Sequence, residues 1–116
     1  TGDRLKAIEA TTEAPARYVS QANEDANRKL RMYERQIASK ERQAAESASL
    51  TAQAKQNLDL FQAQYDAGQR QVMDVVGVYE TFARQQENEV TLKYEAIRLR
   101  IAMAELLGVL ADGSEI

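Results

Sequence analysis

Polar side chains of several chemical types lie close together in one short stretch near the middle of the chain, FQAQYDAGQRQVMDVV. Tyr65, Asp66, Gly68, Arg70 and Asp74 all fall within it. A phenol and a guanidinium donate hydrogen bonds and carboxylates accept them, so the stretch could make charge-assisted links to a neighbouring segment. The alternative interpretation is a solvated turn in which the glycine ends a helix.

Catalytic chemistry is not indicated anywhere in the sequence. The chain has no cysteine and no histidine, which excludes disulfides, thiol nucleophiles, histidine-based triads and Cys/His metal sites. Glu87 and Glu89 are two residues apart and point to different sides of a helix, so they do not form a carboxylate pair. The segment DAGQRQ has one glycine and lacks the Gly-Lys-Ser/Thr ending of a phosphate loop. We therefore expect a protein that is not an enzyme and needs no metal or cofactor.

Length and composition restrict the fold and the partners. The 116 residues allow one domain, and a net charge of −3 argues against a nucleic-acid partner, which normally meets a basic patch. Aromatic residues make up only 6% of the chain and tryptophan is absent, which predicts helix-on-helix seams and no large globular core. No run of about 18 apolar residues is present, so we expect no membrane-spanning helix. No signal peptide is visible, and the opening TGDRLK is typical of a fragment of a longer protein.

One long helix is predicted from about residue 4 to residue 66. Apolar or small residues recur at steps of three or four, a heptad-type pattern that favours a coiled coil. Pro15, the only proline, is tolerated in a first turn and should bend a helix that continues upstream of it. The predicted seam consists of Val19, Ala22, Ala26, Leu30, Tyr33, Ile37, Ala44, Ala48, Ala52, Leu58, Phe61 and Tyr65.

A turn is predicted at about residues 67–71, because Gly68 stands where a helix end requires the left-handed conformation. A second helix of about residues 71–109 follows, and Gly108 and the ADGS segment end it. The two helices together predict an all-α fold, a long antiparallel helical hairpin of the coiled-coil type. The seam of the second helix consists of Val72, Val75, Tyr79, Phe82, Gln86, Val90, Tyr94, Ile97, Ile101 and Ala104.

The second helix carries a further apolar face beside that seam. A two-helix hairpin needs one apolar face on each helix, so two faces predict more than one neighbour for the C-terminal half of this helix. The hairpin would then be part of a bundle or one stave of a larger assembly. The further face consists of Leu92, Ala96, Leu99, Met103, Leu106 and Leu110.

Residues 61–110 resemble the C-terminal signature of the TolC-like outer-membrane channel family. That signature has a tyrosine or phenylalanine, two further residues, a glycine, a short gap to Asp-Val/Leu-Leu, and a long helix with a central tyrosine and a Leu-Gly-x-Leu ending. The YDAGQR form is most similar to members that serve type I protein secretion, and drug-efflux members differ little. Over residues 1–60 the similarity rests on length, helicity and the TGDR start. The matching residues are Tyr65, Gly68, Asp74-Val75-Val76, Tyr94 and Leu107-Gly108-Val109-Leu110.

The resemblance implies a trimer in which a β-barrel in the cell outer membrane continues as an α-helical tunnel through the periplasm. This chain would be the last two tunnel helices of one protomer, a periplasmic portion, with a periplasmic adaptor and an inner-membrane transporter as partners. The resemblance also implies that the turn lies at the periplasmic mouth of the tunnel. Tyr65 and Arg70 would then make polar links that help to hold the mouth shut, and a ring of Asp74 would narrow it.

Two positions depart from the family pattern. Many members have Ser or Thr three residues before the aspartate, where this chain has Gln71, so Asp74 is expected to be freer to point elsewhere. Many members have a second acid one turn after the first, where this chain has Gly77, which removes a carboxylate and should loosen the helix start. We therefore expect cation selectivity from Asp74, with weaker block by multivalent cations than in relatives that have both acids.

Two other functions are compatible with the residues. The hairpin could be a coiled-coil interaction module, such as the helical hairpin of a periplasmic adaptor that docks onto such a channel. It could also be a generic structural coiled coil, which would leave the cluster of Tyr65, Gly68, Arg70 and Asp74 unexplained. The two-faced second helix and the AELLGVL ending favour the channel, because adaptor hairpins usually have single-faced heptads.

Overall fold

Two α-helices joined by a short turn form the fold, in a computed structural model that describes the backbone of residues 2–113 and the side chains of residues 15–113. Helix α1 is Gly2–Asp66 and helix α2 is Val72–Asp112. The helices are antiparallel, and no strand occurs between residues 2 and 113. The all-α helical hairpin predicted from the sequence is therefore confirmed.

The helix bounds differ from the predicted ones by at most three residues, and the largest difference is at the end of α2, which continues to Asp112. Helix α1 includes Pro15 in its interior, and α2 continues past Gly108 before ending. The opening segment TGDRLK lies outside the described side chains, and the predicted ADGS ending extends beyond the last described residue. The absence of a breaker between Pro15 and Gly68 agrees with the uninterrupted course of α1.

The end of α1 is a Schellman motif built on Gly68. This glycine has a φ of 77°, in the left-handed region, and its N–H donates to the carbonyl of Tyr65 at 2.9 Å. The N–H of Gln69 donates to the carbonyl of Gln64 at 2.7 Å. These two bonds satisfy carbonyl groups that the helix end would otherwise leave without donors. Gly68 therefore has the helix-ending role that the sequence predicts.

The chain forms two compact units, and the unit Gln36–Leu99 contains the turn. Within it, α1 and α2 meet along a seam whose positions are spaced by three or four residues, as in a heptad pattern. The covered or half-covered seam positions of α1 are Ile37, Lys40, Ala44, Ser47, Thr51, Ala54, Leu58, Phe61 and Gln64. Those of α2 are Val75, Val78, Phe82, Gln85, Glu89, Leu92, Ala96 and Leu99.

The buried part of this seam is small. Among residues 15–113, the buried apolar side chains are those of Ile37, Ala44, Leu58 and Ala96, and Ser47 is a buried polar one. Two of the four apolar residues are alanines, which let the helices approach closely but remove little apolar area from water. Contacts between α1 and α2 alone thus bury few large side chains for a chain of this length.

The structure decides which apolar face of α2 packs against α1. Leu92, Ala96 and Leu99, from the further face predicted for the second helix, are covered. Val90 and Tyr94, from the face predicted as the main seam, are exposed. Towards the turn from Ala96, the heptad positions are Leu92, Glu89 and Gln85. Two of these residues are polar, so a search for apolar residues alone misses them.

The seam of α1 also differs from the predicted one at three places. Thr51 and Ala54 occupy the seam, whereas Ala52 is exposed. Tyr65 and Val19 are exposed as well, although both had been assigned to the seam. Thr51 is covered and Ala52 is not because Thr51 stands at the heptad position, seven residues after Ala44 and seven before Leu58.

The unit formed by Thr1–Arg35 and Arg100–Ile116 also contains parts of both helices. Ala22 and Ala26 of α1 line a groove of about 280 Å³ together with Leu106, Val109 and Leu110 of α2. Small residues on one helix therefore face larger apolar residues on the other. This arrangement agrees with the predicted positions of Ala22 and Ala26 in the seam of α1.

We predict opposite effects of alanine at two glycines of the turn region. A Cβ atom at Gly68 or at Gly77 would meet no atom within 4 Å, so only the backbone conformation matters. Gly68→Ala should lower the free energy of unfolding by about 1–2 kcal/mol, the cost of the left-handed region for a residue with a Cβ atom. Gly77→Ala, inside α2, should raise it by about 0.5–1 kcal/mol. Urea unfolding followed by circular dichroism, at one fixed chain concentration, measures both. A shift of the same sign in the two variants would contradict this account.

Candidate interaction site at the hairpin turn

The sequence-predicted site residues surround the turn, all within the unit Gln36–Leu99. Tyr65 lies in the last turn of α1, Gly68 and Arg70 lie in the connection, and Asp74 lies in the first turn of α2. The turn thus brings a phenol, a guanidinium and a carboxylate to one end of the hairpin. Each of the three side chains has a different environment.

Arg70 folds back onto α1. Its Nε–H donates to Gln64 Oε1 at 2.8 Å, and its guanidinium carbon lies 4.0 Å from the centre of the Phe61 ring. That distance is within the range of a cation–π interaction. In this structure Arg70 therefore contacts its own hairpin through Gln64 and Phe61.

Asp74 stabilises the start of α2. Its Oδ2 accepts a hydrogen bond from the main-chain N–H of Gln71 at 3.2 Å, and its own N–H donates to the carbonyl of Gln71 at 3.1 Å. The first of these bonds is the half of a capping box in which the third helical residue reaches back to the N-cap residue. The expectation that Gln71 leaves Asp74 freer was wrong, because the carboxylate binds the main-chain group and not the side chain of that residue.

Tyr65 is the most available of the three polar side chains. It is 45% exposed, and its hydroxyl group has no hydrogen-bond partner among residues 15–113. Its carbonyl group belongs to the Schellman motif. The backbone of Tyr65 is therefore held by the end of α1, while its phenol takes no part in the hydrogen bonds of the turn.

Sequence reasoning missed two residues of this site, Phe61 and Gln64. They are three residues apart on α1 and therefore on the same side of the helix, below the turn. Phe61 had been assigned only to the seam, and Gln64 had no assigned role. The contacts with Arg70 arise because the turn reverses the chain, and periodicity along one helix does not contain that information.

A stripe of exposed apolar side chains runs along α2, beginning near the turn. Within the unit Gln36–Leu99 it contains Tyr79, Val90, Tyr94 and Ile97, and we call it the outer stripe of α2. Val90 is 66% exposed and Tyr94 is 62% exposed. Val90, Tyr94 and Ile97 follow one another at steps of four and three residues and so share one side of α2, and apolar residues grouped in this way mark an interaction surface more often than scattered ones do. Helix α1 carries exposed apolar residues too, among them Leu50 and Leu60, which line a groove of about 500 Å³.

Polar contacts between the helices occur further along the seam from the turn. Asn88 Nδ2 donates to Ser47 Oγ at 3.2 Å, and Ser47 is only 2% exposed. Lys40 Nζ lies 2.7 Å from Glu95 Oε2. Because each contact joins one position of α1 to one position of α2, a displacement of one helix along the other would break both. These pairs therefore favour a single register of the helices.

Glu89 combines a seam position with charge. Lys93 Nζ lies 2.9 Å from Glu89 Oε1, as expected for an acid four residues before a base on a helix. The hydrogen bond from Lys93, together with a smaller contribution from the Thr51 hydroxyl group, lowers the pKa of Glu89. The carboxylate is thus held in its charged form at the edge of the seam.

Neither a metal centre nor a membrane span is found in the described part of the chain. Between residues 15 and 113, no three acidic side chains lie close enough together to bind a metal ion. No described helix combines the length and the apolar character that crossing a membrane requires.

Comparisons with protein families, with curated proteins and with solved structures gave no match. The geometry of the turn and of the outer stripe is therefore the basis for a functional proposal.

We predict that Asp74 and Gln71 contribute unequally to stability. Asp74→Ala should lower the free energy of unfolding by about 0.5–1 kcal/mol, because it removes the carboxylate that binds the N–H group of Gln71 and faces the positive end of the helix dipole. Gln71→Ala should change it by less than about 0.5 kcal/mol, because the main-chain N–H group is retained. Chemical unfolding at one chain concentration measures both variants. Equal losses would show that the Gln71 side chain contributes to the cap.

Proposed function

We propose that this chain is the periplasmic tunnel segment of a trimeric outer-membrane channel, a passive conduit for type I protein secretion or drug efflux. In this proposal the hairpin is one stave of the tunnel, and the turn lies at its periplasmic mouth. A periplasmic adaptor and an inner-membrane transporter are its partners, and strands outside this chain form the barrel in the membrane. The proposal rests on the signature in residues 61–110 and on the surface of α2.

The observation that carries the proposal is that α2 has two apolar faces over residues 90–99 and only one of them is covered in the hairpin. Leu92, Ala96 and Leu99 are covered, while Val90 and Tyr94 of the outer stripe are exposed. Exposed apolar surface costs about 25 cal/mol for each Å² that a neighbour could cover, so a few hundred Å² correspond to several kcal/mol. A stave with a neighbour on each side would cover both faces.

The chemistry of the turn supports its place at a gate. The Tyr65 hydroxyl group has no partner within residues 15–113, and Arg70 uses one N–H of its guanidinium in the hydrogen bond to Gln64. An arginine has five N–H donors, so further donors are available for acceptors on an adjacent protomer. Three copies of Asp74 around one axis would form a ring of like charge that attracts cations. The helix cap uses only Oδ2 of Asp74, so the other carboxylate oxygen, Oδ1, is not part of the cap.

We predict that the chain associates with itself through the outer stripe of α2. Sedimentation equilibrium should detect oligomers of the unmodified chain. The double variant Val90→Ser with Ile97→Ser should lower the apparent association constant by about tenfold or more, because two apolar contacts are lost from each interface. A stable monomer at high concentration would contradict the hypothesis that the hairpin has a neighbour on each side. It would favour an interaction module that binds a different protein.

The matched control for this experiment is Leu50→Ser with Leu60→Ser. These two leucines are exposed apolar residues, as Val90 and Ile97 are, but they lie on α1 and outside the outer stripe. The control should leave most of the association intact. An equal loss in both double variants would mean that α1 contributes to the contact as much as the outer stripe does, which would contradict an association that depends mainly on the outer stripe.

We also predict that polar links at the turn favour the closed state of the channel that contains this segment. Tyr65→Phe with Arg70→Ser should raise single-channel conductance in planar bilayers, because each charge-assisted bond contributes roughly 1.5–3 kcal/mol when it is partly buried. Tyr18→Phe with Arg84→Ser, the same residue types away from the turn and outside the outer stripe, should leave conductance unchanged. Unchanged conductance in the first double variant would remove Tyr65 and Arg70 from the gate.

A further inference from the structure

We infer that Phe61 and Gln64 are positioning residues that hold Arg70 in one orientation, so that the other edge of its guanidinium can bind an acceptor outside the hairpin. The inference deepens the proposed function and rests on it for the identity of the acceptor, a carboxylate or carbonyl oxygen of a neighbouring helix. The geometry that carries it involves α1 and the turn alone. It can therefore be tested whether or not the chain forms a channel.

The two contacts of Arg70 restrict different movements of its side chain. The hydrogen bond of 2.8 Å from Nε to Gln64 Oε1 fixes the inner edge of the guanidinium. The Phe61 ring, 4.0 Å from the guanidinium carbon, lies against its face. An arginine that is held at one edge and on one face loses less conformational freedom when the remaining edge binds a partner.

The remaining edge carries the N–H groups of the two η nitrogens. Within residues 15–113, the hydrogen bond to Gln64 and the contact with Phe61 are the interactions found for the Arg70 side chain. Two η nitrogens in one plane match the two oxygens of a carboxylate, and one of them matches a carbonyl group. The positioned arginine therefore presents a ready-made donor pair.

Electrostatics at the end of α1 favours the same position. The last turn of α1 contains no basic residue and ends with Asp66, an acid at the negative end of the helix dipole. Arg70, folded back over Phe61 and Gln64, brings a positive charge to this helix end. The attraction between Arg70 and the end of α1 joins residues of one chain and does not require another protomer. The orientation of Arg70 should therefore exist in the isolated chain.

The test is the hydrogen exchange of the Arg70 Nε–H group, followed by NMR in the ¹⁵N-labelled chain and assigned through its loss in Arg70→Lys. Gln64→Leu should accelerate this exchange by about three- to tenfold, since it removes the acceptor. Phe61→Leu should accelerate it by about two- to fivefold, since it removes the aromatic face. Gln64→Glu and Phe61→Tyr keep an acceptor and a ring respectively, and both should retain slow exchange.

Two control variants separate positioning from a general loss of structure. Gln62→Leu changes an exposed glutamine of α1, and Phe82→Leu changes a seam phenylalanine of α2. Neither should alter the exchange of Arg70 Nε–H, and circular dichroism should show the same helicity in all variants. If Gln64→Leu and Phe61→Leu exchange as slowly as the unmodified chain, Arg70 is not held by these residues and the inference is overturned.

Conductance then separates this inference from the proposed function. In the channel that contains this segment, Gln64→Leu should raise conductance in the same direction as Arg70→Ser, by a smaller amount, and Gln64→Glu should not. If Arg70→Ser raises conductance and Gln64→Leu does not, the result supports a role of Arg70 at the gate and overturns the positioning role of Gln64. If Arg70→Ser has no effect, the proposed gate fails, and the exchange measurement alone decides whether Phe61 and Gln64 hold the arginine.

Discussion

The fold depends on one geometric constraint, that a pair of helices can cover only one face of each member. Several seam residues of α1 are small, and among residues 15–113 the buried apolar side chains are those of Ile37, Ala44, Leu58 and Ala96. Such a seam brings the helices close together but removes limited apolar area from water. Any additional apolar face must therefore be covered by something other than this hairpin, or remain exposed. The outer stripe of α2 is such a face, and this relation between fold and surface underlies the functional proposal.

Close helix packing places special demands on polar residues in the seam. Ser47 is almost fully buried, so its hydroxyl group needs a partner, and the amide of Asn88 supplies one from the opposite helix. Glu89 remains charged because Lys93 is bound beside it. The Ser47–Asn88 contact and the Lys40–Glu95 ion pair join the two helices, so each of these two contacts is satisfied in one register only. The Schellman motif at Gly68 fixes where the chain reverses, and this position of the turn places the paired polar residues of α1 and α2 opposite each other.

Much of the fold could be predicted because helix formation and helix ending are local properties. The long stretch without a breaker gave α1, and Gly68 gave the position of the turn, which its φ of 77° explains. Packing was harder to predict, since apolar character alone does not show which of two faces meets α1. Thr51 lies in the seam and Ala52 does not, although alanine is the more apolar residue. The contacts of Arg70 with Phe61 and Gln64 were not predictable, because they join residues that only the turn brings together.

The polar residues of the turn have structural roles that precede any role at a gate. Asp74 caps α2, and Arg70 lies against the end of α1, so both contribute to the conformation of the turn in a single chain. A substitution at either position would therefore change the order of the turn as well as its contacts with a neighbour. Tyr65 differs, because its phenol has no hydrogen-bond partner among the described side chains and its removal leaves the Schellman bonds intact. Of the three residues, Tyr65 thus offers the cleanest separation between a contact within the hairpin and a contact made by an assembly.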